Sequence, residues 1–104
     1  MPSFSSNKIV ILTQGHSLGD SCKTAINMIY YRPEKILGVL DSEQAGKTTS
    51  EIFKSKQALP FKAKLSDFPD ADALLIGLAP SGGKLPESWR SIIKEALQKN
   101  LTII

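Results

Sequence analysis

The sequence predicts an α/β domain of Rossmann-like type, a three-layer sandwich around a parallel five-stranded sheet in the order 3-2-1-4-5. Three observations carry this. Short apolar runs recur at 9–12 (IVIL), 35–40 (KILGVL) and 73–78 (ALLIGL). Runs this short and this apolar are strands buried on both faces, which belong to parallel sheets. Segments with helical spacing lie between them, so strand and helix alternate along the chain. Crossovers between parallel strands are right-handed, which leaves few orders to choose from.

Residues 1–7 are polar, lack the regions of a signal peptide and read as a disordered tail, so the domain occupies 8–104. After the first strand comes a small-residue turn between Gly15 and Gly19. Cys22, Ala25, Ile26 and Ile29 then recur at i, i+3, i+4 and i+7, one apolar face of a helix. Arg32-Pro33 ends it, because proline disfavours the α conformation before it. The second strand, 35–40, runs into Asp41. A loop with Gly46 covers 41–47, and Thr48 with Glu51 opens a short helix at capping-box spacing over 48–54. In 61–64, Phe61 and Ala63 alternate with Lys62 and Lys64, as on a half-exposed edge strand. A turn at 66–70 leads to the central strand 73–78, and a Gly/Pro loop fills 79–85. Pro86 opens the last helix. Its apolar face is Leu85, Trp89, Ile92, Ile93, Ala96 and Leu97, and Asn100 stops it. The fifth strand is 101–104. An apolar strand at the end of the chain suggests the N-terminal domain of a longer protein, or a piece cut at a domain boundary.

The net charge is +3, and lysines and arginines are scattered among acids without a run. Nucleic acid is therefore not indicated as a partner. The single cysteine, Cys22, cannot form an internal disulfide, which fits a reducing, cytoplasmic compartment. No apolar run reaches the roughly eighteen residues of a membrane span. One histidine and one cysteine without clustered carboxylates predict no metal site.

Three loops follow the first, second and fourth strands and gather on one sheet edge, where ligands of this fold class bind. The first holds Gly15-His16-Ser17-Leu18-Gly19, a literal G-x-S-x-G between strand and helix. An elbow serine needs a histidine from elsewhere, and His16 inside the motif is the only one. A serine hydrolase fragment is thus a remote reading, and a tight turn with a surface serine the plain one. The helix that follows offers unpaired N–H groups to an anion, with Lys23 and Thr24 at its start.

The second loop, 41–47, together with Thr48 ends like a Walker A loop in Gly46-Lys47-Thr48, but Asp41 stands where the first glycine belongs and would repel phosphate. Asp41 fits either an acceptor for a ligand hydroxyl at the end of a strand or a turn cap. The third, 79–85, carries Pro80, Gly82, Gly83 and Lys84. Its glycines permit either close approach to a ligand or an awkward turn. Lys23, Lys47 and Lys84 either converge on an anion or are solvated separately. Trp89 reads as core.

Taken together, GHS…KTA…YRP, LDSEQAGKT and LIGLAPSGGKLPESWR resemble the N-terminal Rossmann-like domain of the D-glutamate N-acetyltransferase-like family, long catalogued only as a domain of unknown function. The resemblance covers 8–104. Carried over by position, it marks Gly15, Ser17, Lys23-Thr24, Tyr31-Arg32, Asp41, Ala45-Gly46, Pro80 and Gly82-Gly83 as lining a site or forming turns. It implies a C-terminal P-loop NTPase-like partner domain and acyl transfer from acetyl-CoA by the full-length protein, with this domain alone not a complete enzyme. The resulting expectation is a domain that binds a nucleotide-like, CoA-like or other anionic small molecule. The alternative is a domain for docking and homo-oligomer assembly.

Overall fold

The computed structural model describes residues 8–15, 17, 22–77 and 87–104. Strand β1 (Ile9–Leu12) has all four side chains fully buried, as a two-sided apolar run requires. It lies at the centre of a five-stranded sheet in the order β3-β2-β1-β4-β5. Its neighbours are β2 (Ile36–Leu40) and β4 (Ala73–Ile76), and the edges are the short β3 (Phe61–Lys62) and β5 (Thr102–Ile103). Every pairing is parallel. The expected class and strand order are therefore those observed.

Helix α1 (Lys23–Tyr31) follows β1, α2 (Thr49–Ile52) follows β2, and α3 (Glu87–Gln98) precedes β5. Right-handed crossovers put α1 and α2 on one face and α3 on the other. Two details of the helix faces differ from the sequence reading. Ile26 was placed on the buried face of α1, yet it is 39% exposed; Cys22, Ala25 and Ile29 make a narrower stripe. Leu97 was placed on the buried face of α3, yet it is 57% exposed, because Trp89 and Ala96 supply the deep contacts. The short elements are also trimmed. Lys35 belongs to a 3₁₀ turn, Pro33–Lys35, and the helix expected over 48–54 is the single turn of α2.

Asn100 stops α3 in the manner expected of it. Its φ is +62°, its N–H donates to the Leu97 carbonyl at 3.0 Å, and the Leu101 N–H donates to Ala96 at 2.9 Å. This pair of bonds is a Schellman closure with asparagine in the left-handed position.

Gly38 in β2 shows how tightly the sheet is covered. A Cβ there would lie 2.5 Å from the Pro60 carbonyl oxygen and 2.7 Å from the Phe68 ring. Neither neighbour can yield without moving β3 or the core. Gly38→Ala is expected to destabilise the domain by about 1–3 kcal/mol, as overpacking does. A lowered urea midpoint at unchanged m-value checks this.

Candidate site at the carboxyl edge of the sheet

The edge is organised by one buried acid. Asp41 leaves β2 in an extended conformation and is followed by a 3₁₀ turn, Ser42–Gln44. Its Oδ1 accepts the Glu43 N–H at 3.0 Å, a local cap for that turn. The same oxygen accepts the Gly15 N–H from the turn after β1, also at 3.0 Å. Oδ2 accepts the Ser17 hydroxyl, whose oxygen lies 2.7 Å from Thr13 Oγ1. Gly15 has φ +77°, a left-handed geometry that glycine adopts without strain.

A second set of bonds runs alongside. Gln14 Nε2 donates to Ser42 Oγ at 2.6 Å, and Gln14 Oε1 accepts the Ser42 N–H at 2.8 Å. The Gln14 carbonyl accepts the Trp89 indole N–H at 2.7 Å. The turns after β1 and β2 are thus tied to each other, and α3 holds the first from behind. Asp41 and Thr13 are fully buried and Ser17 is 5% exposed. Among the described residues no cation pairs with Asp41. Two N–H groups and a hydroxyl surround its carboxylate instead, as burial of a charge demands.

This geometry locates the residues singled out from sequence. Gly15, Ser17 and Asp41 come together. As folded here the Asp41 carboxylate faces inward toward protein donors. The Ser17 proton goes to that carboxylate, and the serine is buried rather than raised on an exposed elbow. Lys23 and Thr24 are exposed at the start of α1, whose Ala25 N–H donates to the Gly77 carbonyl at 3.1 Å beside the end of β4.

Gly46, Lys47 and Thr48 lie on the opposite flank. The Gly46 N–H donates to Phe61, the Lys47 N–H to Gln44, and the Thr48 N–H to Glu51 Oε2 at 2.7 Å. These backbone donors are engaged and form no phosphate cradle. Lys47 Nζ donates to Gln44 Oε1 at 3.3 Å. Lys23 stands at the start of α1, whereas Lys47 lies beside β3 at the outer edge of the sheet. His16, Pro80, Gly82, Gly83 and Lys84 lie outside the described residues. Among the described residues no group of three or more His, Cys, Asp or Glu could hold a metal ion. Nor is any helix among them long and apolar enough to cross a membrane.

Sequence reasoning missed Thr13, Gln14 and Gly77. A Cβ on Gly77 would sit 2.6 Å from Ile11 Cγ2 and 2.8 Å from Thr13 Cγ2, so glycine lets β4 end tightly against β1. The only hint was a glycine near the end of an apolar run.

Cys22 is buried immediately before α1. Burial, and then the Asp41 charge, push its thiol up from its ordinary value. The thiolate is disfavoured in the native state, so the thiol adds stability below the range in which the unfolded thiol ionises and loses it above. Alkylation of native Cys22 by iodoacetamide at pH 8 is expected to lag that of the urea-unfolded chain by about tenfold or more. Mass spectrometry of timed aliquots checks this.

Residues 42–104 match the family described as a domain of unknown function, the DUF1611_N Rossmann-like domain. The chain is also similar to the crystal structure of a DUF1611 family protein from Anabaena variabilis ATCC 29413. The TM-score is 0.82 at 26% identity, covering 93% of this chain and 29% of that one. The chain therefore spans less than a third of the length of that relative. No curated protein matches it.

Proposed function

We propose that this chain, which belongs to the DUF1611_N Rossmann-like domain family, is a ligand-positioning domain of a larger protein. The ligand is a nucleotide-like, CoA-like or other anionic small molecule at the carboxyl edge, beyond the ends of β1 and β4. The observation that carries this reading is the Asp41 network, which fixes the turn after β1 to the turn after β2. Holding Gly15 and Ser17 in place near the start of α1 favours an anion there, where the first N–H groups of the helix and its dipole attract negative charge. In this reading Lys23 and Thr24 contact the ligand, while Asp41 acts as a positioning residue through Gly15 and Ser17.

The same proposal includes the finer assignments implied by the resemblance of the three loops. The full-length protein is an N-acyltransferase using acetyl-CoA in the cytoplasm, and a P-loop domain works beside this one.

A thermal-shift panel with acetyl-CoA, CoA, ATP, NAD and D-glutamate tests the reading. Ligand at a hundredfold excess over its dissociation constant is expected to add about 2.7 kcal/mol of stability. Lys23→Glu should remove that gain without lowering the melting temperature of the unliganded chain. If no compound shifts the wild type, the ligand-positioning role is overturned in favour of a docking role.

A further inference from the structure

A second concavity lies away from the carboxyl edge, between α1 and the segment that follows α2. Its volume is about 490 Å³, within the range of small-molecule sites. Ile26, Ile29, Pro33 and Phe53 supply an apolar surface, and Tyr30 stands beside them, 71% exposed. The other wall is the strip 54–57, which includes Lys54 and Lys56.

Two features make this more than an uncovered patch. The strip is built to stay in place. Thr49, fully buried, donates from Oγ1 to the Gln57 carbonyl at 2.8 Å and accepts the Leu59 N–H at 3.1 Å, with Ser55 Oγ at 2.7 Å. Both lysines are also exposed, and neither forms an ion pair among the described residues. Lys54 is held at φ +60°, where a lysine is strained and a glycine would not be. An apolar surface with two uncommitted ammonium groups complements an apolar body carrying negative charge.

We infer that this groove binds a small molecule with an apolar body and an anionic group: a carboxylate, sulfonate or phosphate. Burial of the apolar body against Ile26, Pro33 and Phe53 supplies affinity, and the lysines select for the anion. The site is separate from the carboxyl edge.

The test uses 8-anilinonaphthalene-1-sulfonate on the full 104-residue chain, followed by fluorescence and by ¹H–¹⁵N shift mapping. Saturable binding is expected, with shifted amides at Ile26, Tyr30 and 53–57. Lys56→Glu should weaken it about fivefold, as should raising salt from about 50 to 500 mM. The neutral analogue N-phenyl-1-naphthylamine should bind more weakly than the sulfonate.

Lys54→Gly guards against an effect of unfolding. It relieves the positive φ and should leave the melting temperature unchanged or higher while still weakening binding. The inference is overturned if the sulfonate and the neutral analogue bind alike and the lysine variants bind as wild type. It is also overturned if the shifted amides lie at Gly15, Ser17 and Lys23 instead, which would assign the dye to the carboxyl edge. An absent shift with acetyl-CoA, CoA or ATP bears only on the carboxyl edge, so the two readings fail separately.

Discussion

Asp41→Ala is expected to lower the stability of the domain by about 3–5 kcal/mol, the largest effect of any single polar substitution here. The change removes the acceptor for the Gly15 and Glu43 N–H groups and the Ser17 hydroxyl at once. Each buried donor left without a partner costs about 1–3 kcal/mol. The sum falls short of three full penalties because Ser17 can turn toward Thr13 and water can enter beside Gly15, which is exposed. Asp41→Asn keeps the shape and one acceptor oxygen. It should lose only about 1–2 kcal/mol, since the remaining oxygen can still take both N–H groups. Urea denaturation monitored by circular dichroism measures both variants. Amide hydrogen exchange adds the spatial detail: Gly15 and Glu43 should lose protection before the β1 amides do. Equal stability of wild type and Asp41→Ala would show that the carboxylate does not hold the two turns together.

Trp89→Ala should cost about 3–5 kcal/mol, the range for deleting a large buried aromatic side chain. Trp89 is fully buried in the core, with no solvent-accessible surface of its own. A domain of ordinary stability, about 5–15 kcal/mol, survives this loss barely or not at all at room temperature. Trp89→Phe separates packing from hydrogen bonding. It keeps an aromatic ring in the core but leaves the Gln14 carbonyl without its indole donor. A loss of about 1–3 kcal/mol is expected from that change. Its signature is local, an altered environment for Gln14 and Gly15 in amide shifts, with Ala96 and Leu101 undisturbed.

Strand order was legible because it follows from periodicity and handedness, both local or general rules. The four residues of β1 and the apolar part of β2 announce two-sided burial by composition alone. Asp41 was legible as the acid ending a strand, and either role, acceptor or cap, was open. The sequence offers no sign that Gly15 and Ser17 are its partners, since that pairing depends on how two turns meet across parallel strands. Thr49 falls within the short helix expected over 48–54, where nothing in the sequence shows that its side chain holds the strip 55–59. A hydroxyl's partner ten residues away is set by loop geometry, not by residue type. The position of Lys47 has a related cause. Residues 46–48 pair with β3 and are drawn to the outer edge. The apolar faces of α1 and α3 were read one residue too wide at Ile26 and Leu97, because periodicity marks a side of a helix and not how far its neighbours extend.

The central position of β1 also bears on how the chain reaches this arrangement. β1 is the earliest strand in sequence, and one of its two partners, β4, is far downstream: Ile9 pairs with Ile36 on one side and Ala73 on the other. Closing the second loop costs only about 0.6 kcal/mol more than the first for each doubling of its length, but it must wait for the residues to exist. During synthesis, one flank of the most apolar strand therefore stays unpaired until β4 has emerged. Non-local pairing of this kind slows folding and prolongs exposure of apolar backbone to other chains. The nascent chain consequently stays open to aggregation, and in need of a chaperone, until β4 arrives.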